Sequence, residues 1–447
     1  MLWAHNSIVE SLVTRRLALF RAAGLIPFLA LLACPSAYAE GAGLRFSGFG
    51  TFGVLHESGD GGIRFRRDIG QSVVDNDVRA EVDTRLGLQV NWQPAPQWEL
   101  VSQAVLKRRA HTSHNQDALV WAFVAWRPNA DWAVRVGRTS PDMFLLSDYR
   151  DVGFAYPWIR PSVEFYGWLP LWGMDGIDVA RTWNSDNVQW RGKFFIGQAS
   201  STVAGTSGPQ SPDLRIVGDY LVGTTWTRES DGLTLKFSLA KGKNHPGGDT
   251  SQVDMVRSGL EAVRALPVPQ VSAEADRLLH TFPSTSIINT YGALSAAWEV
   301  GAWTLQGEIG RINGNFENGR RRFGYASAAY RQGAFTFYGM AGAVRMASEA
   351  APIPQWDVIL SPVIGPVAAG GLQQLGQAVA FDYNAGRQHQ RTFTGGLRWD
   401  VTPRTALKLQ WDHVNVSANG AGFWSGSGLV RESRHIDVLG ASLDFVF

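Results

Sequence analysis

Glycine runs, histidines and clustered charges are where this chain could do chemistry. Gly48-Phe49-Gly50-Thr51-Phe52-Gly53 matches G-x-G-x-x-G, a run that cradles a pyrophosphate when it lies between a strand and a helix. Here its neighbours alternate apolar and polar, with no helical period after them. The glycines read as strand packing, and no cofactor is expected. His111 and His114 stand near Asp117, and imidazole and carboxylate are metal-ligand types. Spacing fixes no third strong ligand and no H-E-x-x-H occurs, so no metal site is assigned. His389, His413 and His435 fall near the ends of three late segments. A hydrolase would need one of them beside a nucleophile and an orienting group. No segment presents that set, so no catalytic residue is assigned, and a hydrolase is a disfavoured reading.

Two further charge sets stand out. Residues 139–173 hold Asp142, Asp148, Asp151 and Glu164 with Arg150 and Arg160, among the aromatics Tyr149, Phe154, Tyr156, Trp158, Phe165, Tyr166, Trp168 and Trp172. Pro141, Pro157, Pro161 and Pro170 stiffen this stretch. The second set is Arg85, Lys107, Arg135, Arg181, Arg191, Lys193, Lys236, Arg398 and Lys408, dispersed along the chain. What either set can do depends on the elements that position it.

Those elements have a period of two. Phe393, Gly395, Leu397, Trp399 and Val401 alternate with Thr392, Thr394, Gly396, Arg398 and Asp400; Leu407, Leu409 and Trp411 alternate with Lys408, Gln410 and Asp412. Alternation puts the two sets on opposite faces of a strand. The polar faces carry long charged groups and glycines, and the apolar faces end in aromatics. That suits an all-β, closed antiparallel transmembrane barrel, with lipid outside, water inside and aromatic girdles at both rims. Sixteen segments qualify: 44–55, 83–93, 98–107, 118–127, 132–138, 174–183, 187–196, 214–228, 233–240, 288–300, 303–311, 322–331, 334–345, 389–401, 405–416 and 435–447. Short turns and long connections alternate between them, as short periplasmic turns and long external loops do in bacterial barrels. An eighteen-strand count stays open if 241–287 or 346–388 holds another hairpin. By this assignment the nine cations point into the lumen, together with Glu99, Glu308 and Asp400.

Composition agrees. The 447 residues are 45% hydrophobic and 18% charged, with a mean hydropathy of −0.10. After the N-terminus no run reaches the ~18 apolar residues that a spanning helix needs; 358–372 is broken by Ser361, Pro362 and Pro366. Residues 1–39 read as a secretory signal, with Arg15, Arg16 and Arg21, an apolar core at 22–33 and an Ala37-Tyr38-Ala39 cleavage site. Leu31-Leu32-Ala33-Cys34 is a competing lipidation box, left open. Losing the signal removes three arginines and Glu10, so the formal charge falls from +2 to zero. That argues against nucleic acid as a partner. The barrel, 40–447, then holds no cysteine.

The alternating segment that ends on Phe447 resembles the assembly signal of Gram-negative outer-membrane barrels. Ser47-Gly48-Phe49-Gly50 resembles the first strand of general porins. Residues 147–167, SDYRDVGFAYPWIRPSVEFYG, resemble a signature of a porin-like outer-membrane family. The resemblance implies an exported, multi-pass outer-membrane pore for passive diffusion of small hydrophilic solutes and ions. Its implied partners are the lipid bilayer and the assembly machinery, and its implied assembly is a homotrimer. It also implies that the third long loop, 139–173, folds inward; an aromatic external cap packed on the rim is the alternative. Asp148, Tyr149, Arg150, Asp151, Arg160 and Glu164 would then form a constriction facing the basic wall. A structural or adhesive barrel is the alternative.

Overall fold

The structure, a computed structural model, describes residues 38–39, 43–58, 62–74, 76–110, 117–205, 213–248, 251–281, 286–315, 319–426 and 432–447. His111, His114, Cys34 and nearly all of the leader lie outside these residues. Sixteen long strands close a barrel: β1 Leu44–Glu57, β2 Arg85–Ala95, β3 Trp98–Lys107, β4 Leu119–Trp126, β5 Trp132–Thr139, β6 Met174–Ser185, β7 Val188–Gln198 and β8 Leu214–Ser230. The second half is β9 Leu233–Pro246, β10 Ile287–Val300, β11 Trp303–Gly314, β12 Arg321–Gln332, β13 Phe335–Met346, β14 Gln388–Thr402, β15 Thr405–Ala421 and β16 Arg434–Val446. Each pairs antiparallel with its sequence neighbours, and β1 closes on β16 in the register Gly50↔Phe445 and Val54↔Ala441. Phe447 and Gly48 exchange both backbone hydrogen bonds at 3.0 Å. Closure leaves no unpaired edge inside hydrocarbon, where an unpaired amide would cost several kcal/mol.

Turn chemistry fixes one end. At Asp231-Gly232, between β8 and β9, φ is 49° and 73°, the left-handed pair that a two-residue hairpin prefers. The connections at 241–287 and 346–388 hold no extra hairpin. They form helices instead: Ser251–Arg264 and Pro269–Thr281 in the first, Trp356–Ile364 and Pro366–Ala385 in the second. Leu260, Val271, Leu278, Trp356, Leu360 and Val379 make a small apolar core among these helices. No helix among the described residues is long and apolar enough to cross a membrane, so crossing falls to the strands.

The outer face is apolar. Leu88, Val136, Ile177, Leu294, Ile309, Phe337, Phe393 and Leu409 are exposed on it. At the turn end it carries a girdle of Trp92, Trp98, Trp126, Trp132, Trp298, Trp303 and Trp399, all exposed. Trp98 stacks on Trp126 at 6.0 Å and Trp303 packs on Tyr330 at 4.9 Å. The expectation of a girdle at both rims needs correction. On β11–β14 the loop-end rim carries arginines and a histidine.

Candidate functional site

The barrel interior is where charge collects. Its wall is built by the polar set of each strand: Arg85, Gln89 and Asn91 on β2, Lys193 on β7, Lys236 on β9, Glu308 on β11, Gln390, Thr392 and Arg398 on β14, and Lys408, Gln410 and Asp412 on β15. Register holds each set on one face. Arg85 is opposite Lys107, Arg398 opposite Lys408, and Lys408 opposite Ser442. Arg181 does not belong there. It pairs with Trp132 on the outer face and lies over the Trp132 ring at 5.5 Å and the Trp183 ring at 5.9 Å. Its neighbour Ala180 pairs with Lys193 inside. A long cation beside two interfacial tryptophans is stable at a membrane rim, so the expectation that Arg181 faces the lumen is corrected.

The 140–173 loop runs inside the barrel and touches wall after wall. Asp142 accepts from Lys236, with Lys193 at 3.6 Å. Glu308 accepts from the Leu145 amide at 3.0 Å, and from Tyr166. Asp151 takes Lys107 at 2.8 Å and Arg67 at 3.4 Å, and its carbonyl accepts from Arg85 at 2.6 Å. Lys408 donates to the carbonyls of Gly153, Tyr156 and Trp158 at 2.6, 2.8 and 2.7 Å. Arg398 donates to Phe154 and Tyr156 carbonyls at 2.7 and 3.0 Å. Arg160 bridges Asp83 at 2.6 Å and Asp412 at 2.5 Å. Glu164 accepts from Gln390 at 2.7 Å and from Thr392. Between these fastenings Phe144, Phe165, Tyr166 and Trp168 pack edge-on or tilted against Tyr291, Phe323 and Tyr325, with centroids 5.0–6.0 Å apart where they meet.

Four of the six residues assigned to a charged gap are therefore buried in fastenings. Arg150, Asp151, Arg160 and Glu164 are buried. Arg150 bonds the Leu171 carbonyl and stacks over Trp172 at 3.6 Å; burial, against the pull of Asp151 and Asp68, lowers its guanidinium to about 10. Asp148 and Tyr149 remain exposed, Tyr149 at 40%. Asp148 acts electrostatically on Arg135, which is bonded to Asp178 at 2.9 Å. Arg191 is also exposed, two residues from Lys193 on the same inner face. Sequence reasoning missed Asp83 and Asp444 and left Asp412 unused. Asp412 and Asp444 were visible in the alternation as carboxylates on the same face as the basic wall.

Burial alone would raise the carboxyls of Asp83, Asp142 and Asp151, but cations outweigh it. Arg160, Arg67 and Arg85 hold Asp83 low; Lys236, Lys193 and Arg191 hold Asp142 low; Lys107, Arg67, Arg85 and Arg150 hold Asp151 low. Burial pushes the Tyr156 hydroxyl up to about 12.

Above the loop lies a second layer. Arg66 donates to the carbonyls of Phe423, Gly422 and Ala204 at 3.3, 2.8 and 3.2 Å. Ile63–Phe65 forms a ribbon with Trp424–Gly426. Chain from three connections thus roofs the loop-end mouth. Among the described residues no three His, Cys, Asp or Glu side chains gather as a metal would require. His413 stacks on His435 at 5.6 Å and bonds Asp437 at 2.9 Å, on the outer face.

This architecture has counterparts among solved structures. The fold is that of a porin barrel. The Salmonella typhi OmpF structure, a complex with daunomycin, is 10% identical, with 92% of this chain and 100% of that chain covered and a TM-score of 0.50. The anion-selective porin from Comamonas acidovorans is 11% identical, with 90% and 99% covered and a TM-score of 0.49. No family model matches the chain, and no curated protein matches it. At such identity the likeness is one of fold.

Proposed function

We propose that this barrel resides in the outer membrane and forms a water-filled channel for passive diffusion of small hydrophilic solutes and ions. The observation that carries this reading is the contrast between faces: a charged, hydrogen-bonding inner wall behind an apolar outer one. A barrel that only filled space would have no use for a polar interior, since apolar packing would hold it more cheaply. The passage runs past exposed Asp148 and Tyr149, beside the wall that carries Arg135 and Arg191. In a narrow, low-dielectric opening these charges act on an ion more strongly than on an open surface. The homotrimer belongs to the same proposal.

A second reading, a closed structural or adhesive barrel, is favoured by the roof that Arg66 ties together. Planar-bilayer recording of the purified, folded protein decides between them. Discrete, ohmic conductance steps are expected. A folded, heat-modifiable barrel that yields no steps would overturn the channel and leave the closed barrel.

A further inference from the structure

The outer wall of β11–β14 carries a row of cations that no carboxylate among the described residues answers. Arg311 of β11 stands opposite Arg322 of β12, Arg322 opposite Arg345 of β13, and Arg345 opposite His389 of β14. Arg391, the next outward residue of β14, adds a fourth arginine. Their neighbours two residues away on the same face include Ile309 and Phe393, both strongly exposed, so this face is the lipid face. All four arginines are exposed, and among the described residues none of them is in an ion pair. Arg311 bonds the Asn313 side chain at 2.8 Å. On β16 of the same face, Asp437 is already bonded to His413 at 2.9 Å and Trp411 at 3.0 Å. Like charges directly opposite in a sheet are destabilising, and an anion laid across the row would relieve that repulsion.

Its height is informative. Trp303 on β11 and Tyr330 on β12 belong to the turn-end girdle, and Arg311 and Arg322 follow at eight residues' distance along those strands. At about 3.3 Å per residue and a tilt of about 40°, that is roughly 20 Å of membrane. The apolar band of such barrels is about 25 Å tall. The row therefore stands at its far edge, where lipid headgroups begin.

A groove of about 910 Å³ runs from the arginines down the wall. Its floor is Gly324, Ala326, Ala341 and Ala343, and Ile309 and Phe393 line it. The small floor is recessed between the bulkier Ile309 and Phe393.

We propose that this face binds a net-anionic, phosphate-bearing membrane lipid, with its phosphate across Arg322, Arg345 and Arg391 and an acyl chain in the groove. Guanidinium forks match phosphate oxygens in geometry and charge. A second copy of this chain fits less well, since its facing wall would have to bring carboxylates to four arginines. The proposal rests on the barrel crossing a membrane and not on conduction.

The test is binding to the full, folded protein in neutral detergent, read by native mass spectrometry. The probes are phosphatidic acid, phosphatidylcholine and inorganic phosphate. Phosphatidic acid is expected to bind at least tenfold more tightly than either of the others. The triple variant Arg322→Gln/Arg345→Gln/Arg391→Gln should lose at least tenfold. Ala326→Leu/Ala341→Leu, which fills the groove and keeps the arginines, should lose a comparable factor for the lipid only. Should the triple variant fail the heat-modifiability check for folding, Arg345→Gln alone should lose threefold or more. Equal binding of the two lipids overturns the proposal. So does inorganic phosphate binding as tightly as the lipid, or full lipid binding by the groove-filled variant. Efficient Ala341→Cys cross-linking between copies in bilayers overturns it in favour of self-association. Because conductance enters none of these readouts, failure here and failure of the channel reading are separate results.

Discussion

Lys408 and Asp444 meet at 3.1 Å inside the wall, both side chains fully buried, and the lysine also donates to three carbonyls of the inward loop. The residue expected to face water as a selectivity charge is instead a rivet between wall and loop. Replacing Lys408 by Met keeps its length and removes its charge. Asp444, which also accepts from Thr51 at 2.5 Å and Ser442 at 3.0 Å, is left as a buried anion without its cation. Breaking a buried pair from one side costs about 3–5 kcal/mol. Lys408→Met should lower the urea midpoint accordingly and make single-channel records noisier, and Lys408→Met/Asp444→Asn should recover part of the loss. An unchanged midpoint in the single variant would remove the rivet.

One residue along β15 the environment inverts. Leu409 is 59% exposed on the outer face, whereas Lys408 is 2% exposed. An arginine on the lipid face costs ~2–4 kcal/mol at the midplane. Leu409→Arg should therefore reduce the folded fraction in lipid vesicles, read by heat-modifiable migration. Since a one-residue slip exchanges every side chain between faces, normal folding of this variant would mean that the register is wrong.

The barrel was legible in the sequence because lipid enforces alternation. β3 has the expected bounds, and β15 begins where expected at Thr405. The misses lie where lipid stops enforcing it. β9 runs past the expected Ala240 through Lys241, Lys243 and His245, where both faces meet polar surroundings and alternation carries no signal. The inward loop was legible by its aromatic and proline content, yet the state of its charges was not. Whether Asp151 is free or locked depends on Lys107, Arg67 and Arg85, which come from remote parts of the chain. Local composition cannot report such a meeting.

The loop's fastening should have a defined acid limit. The cations around Asp83, Asp142 and Asp151 outweigh burial and hold all three below the ordinary carboxylate range. A carboxylate with a depressed native pKa contributes its stability above the unfolded value, about 3.9 for Asp, and loses it as pH falls through the native value. Near-UV circular dichroism from the buried Trp158 and Trp168 should stay flat from pH 8 to about pH 4, then decline at lower pH. A transition centred near pH 6 would point to another group and contradict this assignment.

Asp148 and Asp151 lie three residues apart and should behave as different kinds of residue. Asp151 is buried among Lys107, Arg67, Arg85 and Arg150; Asp148 is exposed and its charge acts on Arg135. Neutralising Asp151 leaves several buried cations without their shared anion, so Asp151→Asn should loosen the loop and lower stability by a few kcal/mol. Neutralising Asp148 removes a charge from the opening and disturbs no packing, so its stability effect should stay within about 0.5 kcal/mol. Its effect on permeation should be the larger one, because a single charge weighs most where the passage is narrow. Under a salt gradient, Asp148→Asn should move the reversal potential toward anion preference at unchanged urea midpoint. Asp151→Asn should shift the midpoint first and change selectivity only as the loop loosens. If Asp148→Asn conducts with the parent's selectivity, the exposed edge of the loop does not border the passage. If Asp151→Asn leaves the midpoint unchanged, its four cations are held by something other than this carboxylate.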